Sequence, residues 1–258
     1  MIFRRRVPIF AGLIAVVGLI LALFAPLPYV IIKPGPTQNV LGSTITIKNT
    51  QVFQRPGQLF STTVLVSNPE AKMYGVELLV NWIEGDSVVL PRSAVYPKSE
   101  NNAKALQVGA QEMVTSESSA IASALVLYKA QHPDRPISVK ASDVSISLKD
   151  TGGPSAGLIF ALGLLSRLDP HDFIHGRSIA GTGTIDTAGN IGPIGGIDQK
   201  MVGAARAGAK LFLMPARNCA DVTRVPKGMR AVPVQTLFQA LELLQANSSE
   251  KYPVCPTR

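Results

Sequence analysis

The N-terminal segment of the chain limits most strongly how the rest of it can be placed. Residues 7–32 carry no charged side chain, and three arginines, Arg4 to Arg6, come directly before them. About 20 apolar residues cross the hydrocarbon core of a bilayer as a helix, and Pro26 can end such a helix. Because clustered arginines stay on the cytoplasmic side, we expect a transmembrane helix within residues 1–32 that places the rest of the chain outside the cytoplasm.

A cleavable signal peptide is the alternative for the same segment. It would need small residues around a site such as Leu23-Phe24-Ala25, and that site is poor and is followed by Pro26. The length of the apolar run favours a retained anchor. With either a signal peptide or an anchor we expect an extracytoplasmic protein. With a retained anchor, membrane lipid is its partner through residues 1–32.

The charge of the chain does not indicate a nucleic-acid binder. Its 258 residues carry a formal net charge of +8, but the lysines and arginines are scattered rather than arranged along one element. Aromatic residues make up only 6%, and none alternates with a basic run as a single-strand binder requires. A basic surface beside anionic lipid or a cell-envelope polymer is the simpler interpretation.

The metal-binding residue types are too few and too dispersed to predict a metal or another cofactor. The three histidines show no His-Glu-x-x-His spacing, and two cysteines cannot build a zinc site by themselves. In an oxidising compartment Cys219 and Cys255 could form a disulfide that holds the C-terminal tail, or they could remain free thiols. The sequence leaves both possibilities open.

Strands and helices alternate after the apolar run, which predicts an α+β (mixed α/β) fold behind one N-terminal transmembrane helix. We expect four regions: the anchor at 1–32, an extracytoplasmic region at 33–136, a domain at 137–247 and a polar tail at 248–258. Helical periodicity predicts the following helices: 73–83, 100–130, 155–168, 198–208 and 236–246. Alternation and β-branched residues predict strands at 43–48, 58–67, 178–184, 210–215 and 231–235, and one strand or a strand pair within 137–148.

The hexapeptide Gly152 to Gly157 is the sharpest local signal. It places Ser155 between residues with almost no side chain, at the start of an apolar helix. Small neighbours let a substrate backbone come close, and the unpaired amides at a helix N-terminus can stabilise an oxyanion. Taken alone, however, Ser155 could be only a helix cap.

A second signal runs from Gly181 to Lys200, where two glycine-rich turns precede a helix with Lys200 in its first turn. The positive end of the helix and partial burial would lower the pKa of this lysine and leave a neutral amine that can act as a base. Taken alone, Lys200 could be an ordinary surface lysine.

Together these segments resemble the proteolytic domain of the Lon family of serine proteases. The resemblance covers about residues 144–215, with a weaker likeness to residue 243. Its elements are Pro154 to Gly157, the Gly-Thr-Gly-Thr run from Gly181, Pro193 to Gly196 followed by Lys200, and Ala204 to Gly208 before a strand. The region before it looks like the exported, membrane-anchored branch of that family.

The resemblance implies a serine–lysine dyad, with Ser155 as nucleophile, Lys200 as general base and Thr184 as the residue that orients the lysine. It also implies the backbone amides of Gly153 and Ser155 as oxyanion donors. On this basis residues 137–247 are the Lon-type proteolytic domain. The expected function is ATP-independent endopeptidase cleavage of unfolded or extended extracytoplasmic proteins by a chain that could form a homo-oligomer.

Two other classes of function remain open at this point. The anchored branch usually carries a PDZ domain, which binds extended peptide ends, but only residues 132–143 fill the corresponding position. One alternative is a catalytically inactive, membrane-anchored peptide-binding scaffold. The other is a small-ligand-binding domain that uses a helix N-terminus as an anion site, which would leave Lys200 and Thr184 unexplained.

Overall fold

The computed structural model describes residues 9–97, 101–148, 151–246, 248 and 252–255. The α-helices within these ranges are α1 (Ile9–Phe24), α2 (Gly75–Glu84), α3 (Arg92–Val95), α4 (Asn102–Gln131), α5 (Gly157–Leu168), α6 (Ile197–Arg206) and α7 (Leu237–Ala246). The strands are β1 (Pro26–Leu27), β2 (Tyr29–Asn39), β3 (Ile45–Ile47), β4 (Gln58–Val66), β5 (Met73–Tyr74), β6 (Val88–Pro91), β7 (Val144–Ile146), β8 (Ser178–Gly181), β9 (Thr184–Ile185), β10 (Ile191–Gly192), β11 (Leu211–Pro215) and β12 (Arg230–Val234).

The chain divides into two compact units. The smaller consists of Met1–Lys33 and Val66–Asn102, and the larger of Pro34–Leu65 and Ala103–Arg258. This division differs from the boundary expected at residue 137, because segments on both sides of it share one core. Strand β4 pairs with β8, and α4 and α5 contribute side chains to the same buried cluster.

A parallel sheet with helices on both faces forms the centre of the larger unit. Strands β12, β11, β8 and β4 are hydrogen-bonded in that order, all parallel, and the Pro34–Asn39 part of β2 lies beside β4. The mixed α/β class predicted from the sequence is thereby confirmed. Parallel strands of this kind are covered on both faces, and their side chains are correspondingly apolar.

Alternating side chains of the strands divide the core of the larger unit into two layers. On β11, Leu213 packs into the layer built with α4, α5 and α7, and its neighbour Phe212 packs into the layer built with α6. Both side chains are fully buried. The period of two along a strand therefore places α5 and α6 on opposite faces of the sheet.

Most of the predicted helices and strands of the larger unit are confirmed within two residues at each end. The largest departure lies in residues 137–148, which form a single 3-10 turn and the three-residue strand β7 rather than a longer strand or strand pair. Strand β7 pairs antiparallel with β3, through Ile45 and Ile146 among others. Between α4 and the 3-10 turn at Ala141–Asp143 the chain has no regular element.

Cys219 and Cys255 form a disulfide, which answers the question that the sequence left open. Their Cα atoms lie 5.3 Å apart, and the bond joins residues separated by 36 positions. Both cysteines pack against the apolar layer around α6. The bond attaches the C-terminal residues to the segment that follows β11, and closing a loop of this size stabilises a fold by roughly 3–4 kcal/mol.

The smaller unit contains α1, α2 and short strand pairs. Strand β1 pairs with β5 through Pro26 and Tyr74, and the first residues of β2 pair with β6. Helix α1 has 16 residues. Across the part of the chain that the structure describes, we find no helix that combines the length and the hydropathy needed to cross a membrane.

Candidate active site

Ser155 lies just before the N-terminus of α5, and its main chain is fixed by residues that follow β8. Its carbonyl oxygen accepts hydrogen bonds from the Gly183 amide, at 2.7 Å, and from the Thr182 hydroxyl, at 3.0 Å. The Leu158 amide in turn donates to the Gly183 carbonyl, at 3.1 Å. The serine and the first turn of α5 are therefore attached to the segment that links β8 and β9.

A residue of α4 supports the same loop from another direction. The buried hydroxyl of Ser116 donates to the Pro154 carbonyl at 2.9 Å. Close packing also explains Gly157: a Cβ there would lie 2.6 Å from Cγ2 of Ile185 and 3.0 Å from the Ser116 hydroxyl. The small residue predicted to admit a substrate is thus required at this position by the contact between α5 and β9.

Lys200 reaches the same point from the opposite face of the sheet. It is the fourth residue of α6, and only 3% of its surface is exposed. Its Nζ donates a hydrogen bond to Ser155 Oγ at 2.7 Å and another to Thr182 Oγ1 at 3.1 Å. The structure therefore brings together Ser155 and Lys200, two residues 45 positions apart that the sequence predicts as a pair.

Burial determines the protonation state of this lysine. Removal of the amine from water disfavours its charged form and lowers the pKa of Lys200 from 10.5 to about 7. A substantial fraction of the side chain is then a neutral amine near neutral pH. In that form the Nζ lone pair can accept a proton from the serine hydroxyl that it contacts.

The threonine that contacts the lysine in the structure is Thr182, whereas the resemblance implies Thr184 for the role of orienting it. Thr182 is fully buried, and its hydroxyl accepts from Lys200 while donating to the Ser155 carbonyl. Thr184 lies two residues further on, in β9, where it pairs with Gly192 of β10. Strand β8 ends at Gly181, so the expected single strand is interrupted between the two threonines.

The amide of Gly153, which the resemblance implies as an oxyanion donor, is engaged in another hydrogen bond in this conformation. It donates to the carbonyl of Gly109 in α4 at 2.8 Å. Gly153 has a left-handed backbone with φ of 89°, and a Cβ at Gly152 would lie 3.2 Å from the Gly109 carbonyl carbon. The glycine pair thus allows a close approach of the loop to α4.

A buried asparagine holds the turn that precedes Lys200. Asn218 is 2% exposed; its Oδ1 accepts from the Ile194 amide at 3.0 Å, and its Nδ2 donates to the Ile194 carbonyl at 2.9 Å. Gly196, in a left-handed conformation, then lies directly before α6 as its N-cap. The sequence gives no local signal for Asn218, which lies 24 residues from the turn that it fixes.

A cleft with a volume of about 300 Å³ opens at Ser155 and Lys200. One of its walls is the loop at Gly152 and Gly153, and another is the β4 stretch from Ser61 to Leu65. The ladder between β4 and β8 ends at the Ser61–Gly181 pair, whereas β4 continues to Val66. The cleft therefore runs along a stretch of β4 that extends beyond its pairing with β8.

Comparison with known proteins gives matches to a single family of proteases. The family described as the Lon protease (S16) C-terminal proteolytic domain matches residues 71–245. The Lon protease of Mycoplasma mycoides is 33% identical over 150 residues, which cover 53% of this chain and 18% of that protein. The Lon protease of Trichlorobacter lovleyi is 36% identical over 106 residues, covering 40% of this chain and 12% of that protein.

The family match covers well over half of the chain, and it includes the serine loop, the glycine turns and α6. The chain therefore belongs to the family of Lon protease (S16) C-terminal proteolytic domains. It spans less than a fifth of the length of the curated relatives that it matches.

Proposed function

We propose that this chain is a serine endopeptidase in which Ser155 is the nucleophile and Lys200 the general base. The observation that carries the proposal is the 2.7 Å contact between Lys200 Nζ and Ser155 Oγ, made by a buried amine with a lowered pKa. A nucleophile and a base at hydrogen-bond distance, with a third group orienting the base, form the arrangement that activates a hydroxyl.

The proposed reaction is acyl transfer in two stages. Neutral Lys200 takes the proton of Ser155 Oγ as the oxygen attacks the peptide carbonyl, and the resulting ammonium gives the proton to the leaving amine. Water then attacks the acyl ester, with the same amine accepting its proton and returning it to Ser155 Oγ. Thr182 positions both partners, because its hydroxyl contacts Lys200 and the Ser155 main chain.

The amide of Ser155, close to the N-terminus of α5, is the proposed first oxyanion donor. No described group accepts a hydrogen bond from it. Gly153 can serve as a second donor only after its bond to the Gly109 carbonyl breaks. A single donor of this kind contributes about 3–4 kcal/mol to transition-state stabilisation, so the state of this loop affects the rate strongly.

The proposed substrate is an extended polypeptide. Beyond Ser61 the edge of β4 is no longer paired with β8, and it lines the cleft that contains Ser155. Main-chain groups along such an edge can bind a peptide as an added strand, which requires an unfolded or extended segment. Recognition through the backbone would admit many sequences.

We also propose that the protein is anchored in a membrane with the larger unit outside the cytoplasm. The uncharged run at residues 7–32 and the preceding arginines support the anchor and its orientation. In α1 nearly all side chains after Ile9 are exposed and apolar, which suits a lipid environment. The disulfide between Cys219 and Cys255 supports an oxidising compartment.

The test is cleavage of an unfolded protein such as casein by the full chain in detergent, without ATP. Wild type is compared with Ser155→Ala and Lys200→Ala, and with the matched controls Ser118→Ala and Lys129→Ala, which change exposed residues of α4. We expect activity in the wild type and in both controls only. A serine-reactive fluorophosphonate should label the same three proteins.

Equal cleavage by all five proteins, or labelling that persists in Ser155→Ala, would rule out the proposed nucleophile. If wild type binds an unfolded protein and neither cleaves it nor reacts with the probe, the chain is an inactive peptide-binding scaffold. Measuring the mass of the purified particle in the same detergent tests the proposal that the chain forms a homo-oligomer.

A further inference from the structure

Helix α2 of the smaller unit carries an exposed apolar stripe. Its members lie at positions i, i+3, i+4 and i+7 and therefore share one face of the helix. Their exposed fractions are 36% for Val76, 46% for Leu79, 48% for Val80 and 70% for Ile83. Trp82, beside this α2 stripe, is 75% exposed.

The opposite face of α2 is the buried one, and its buried residue is polar. Asn81 is 6% exposed; its Nδ2 donates to the Glu77 carbonyl at 2.8 Å, and its Oδ1 accepts from the Ser87 hydroxyl at 3.3 Å. A helix on the surface of a water-soluble domain has the reverse arrangement, with apolar residues inside and polar residues outside. The inverted pattern indicates that α2 faces an apolar medium.

Helix α1, the proposed anchor, lies directly against the start of α2. Strands β1 and β5, which adjoin the two helices, pair through Pro26 and Tyr74. At Gly75 a Cβ would collide with the Ala22 carbonyl, so only glycine permits this approach of the two backbones. The end of α1 and the beginning of α2 are thus in backbone contact within one compact unit.

We propose that the α2 stripe is covered by the lipid bilayer and that α2 lies in the membrane interface beside the anchor. This proposal rests on the proposed anchoring through α1. A helix of ten residues is about 15 Å long, too short to span a bilayer but suited to lying in its interface. Tryptophan is enriched at that depth, where Trp82 would sit.

The charges of α2 indicate that its contact with lipid is apolar rather than electrostatic. The helix has no lysine or arginine. Glu77 lies in its first turn, and its carboxylate accepts a hydrogen bond from the Tyr74 amide at 3.0 Å. We therefore expect insertion into uncharged phosphatidylcholine and little dependence on salt.

Trp82 is the only tryptophan of the chain, so tryptophan fluorescence, excited at a wavelength that tyrosine does not absorb, reports on α2 alone. The full chain is reconstituted into phosphatidylcholine vesicles that contain lipids brominated either near the headgroup or near the end of the acyl chain. We expect the first set to quench Trp82 emission more strongly than the second. Quenching by aqueous acrylamide should be about twofold weaker than for the urea-unfolded chain.

Flotation of the vesicles after alkaline washing measures anchoring independently of α2. Flotation without lipid quenching of Trp82 overturns the α2 proposal and leaves the anchor intact. A chain that does not float refutes the anchor, and the α2 proposal falls with it. Protection from acrylamide without lipid quenching, together with cross-linked dimers, shows that a second copy covers α2 and equally overturns the proposal.

A double variant, Leu79→Asp with Ile83→Asp, places two carboxylates in the stripe and keeps Trp82. We expect its lipid quenching to fall to the level of a water-exposed tryptophan, while flotation is unchanged. The matched control is Leu106→Asp in α4, where a leucine about as exposed as Ile83 (66% against 70%) is replaced outside α2. That control should keep the full quenching of Trp82, and a loss of quenching there would overturn the assignment to the stripe.

Discussion

Lys200 in the larger unit and helix α2 in the smaller unit depart from the usual distribution of polar and apolar side chains in opposite directions. Lys200 is an ionisable group almost completely removed from water, at 3% exposure. In α2 a stripe of large apolar side chains faces outward, and Asn81 is buried instead. Both arrangements are unfavourable for an ordinary water-soluble domain.

The two departures are explained in different ways. Burial disfavours the charged form of Lys200 by a free energy of roughly 5 kcal/mol, and this leaves a neutral amine beside a serine hydroxyl. The unfavourable exposure of the apolar α2 stripe to water disappears if lipid surrounds the helix. The buried amine of Lys200 therefore indicates a reactive site within the protein, whereas the exposed α2 stripe indicates that a non-aqueous medium surrounds that helix. Each of the following experiments tests one side of this contrast.

The largest effect is expected for Lys200→Arg, which keeps a positive charge but removes the base. Arginine stays protonated at every accessible pH and cannot accept the serine proton. We expect kcat/KM on an unfolded substrate to fall at least about 1000-fold, equivalent to about 4 kcal/mol. Circular dichroism checks that the variant is folded, and near-wild-type turnover would show that Lys200 is not the base.

The next largest effect separates buried from exposed leucines. Leu162 of α5 is completely buried, so Leu162→Ala should lower the free energy of unfolding by about 2–5 kcal/mol. Leu79→Ala in the α2 stripe should change it by less than about 0.5 kcal/mol, because Leu79 is half exposed. Urea unfolding of both variants in one detergent measures the pair. Similar losses would mean that α2 packs against protein.

Thr182→Val tests the threonine that contacts the lysine. Loss of the hydroxyl removes the bonds to Lys200 and to the Ser155 carbonyl, and we expect kcat to fall about 10–100-fold. Thr182→Ser restores the hydroxyl and should recover most of the rate, which a purely structural role would not predict. Thr184→Val is the matched control, and a larger loss there than at Thr182 would reverse the assignment.

The sequence predicts the larger unit well where the local pattern of a segment matches the face that the segment buries in the fold. Helices α5 and α6 and strand β11 are confirmed because their periodicity reflects the two layers that they bury. The joint spacing of Ser155 and Lys200 predicts the dyad for a different reason: each motif alone has an ordinary explanation, and only the pair is specific. Local signals thus located the elements, and the motifs located the site.

What the sequence does not predict depends on contacts across the fold. Thr182 and Thr184 belong to one predicted strand, and the sequence pattern cannot tell which of them contacts Lys200. In the structure β8 ends at Gly181, and Thr182 is the threonine that lies against the lysine. The bond from Gly153 to Gly109 requires knowledge of where α4 passes. The periodicity of α4 does not predict which of its apolar residues are buried: Leu106 is exposed, whereas Ile121 and Leu125 are buried.

The smallest effect, taken per unit of pH, is a change in stability with pH, and it follows from the lowered pKa of Lys200. Above about pH 7 the folded chain has lost the Lys200 proton, while the unfolded chain keeps it until about pH 10.5. Since the unfolded state then binds more protons, the free energy of unfolding rises with pH, by at most about 1.4 kcal/mol per unit. Below pH 7 both states are protonated, and this contribution no longer changes.

Lys200→Met is the reference for this measurement, because it fills a similar volume and does not titrate. The difference between wild type and Lys200→Met in urea unfolding, measured from pH 7.5 to 9.5 in the same detergent, isolates the lysine from all other groups. We expect that difference to grow in favour of wild type as the pH rises. Parallel curves would mean that Lys200 keeps its ordinary pKa in the fold, and the buried amine could then not act as a base near neutrality.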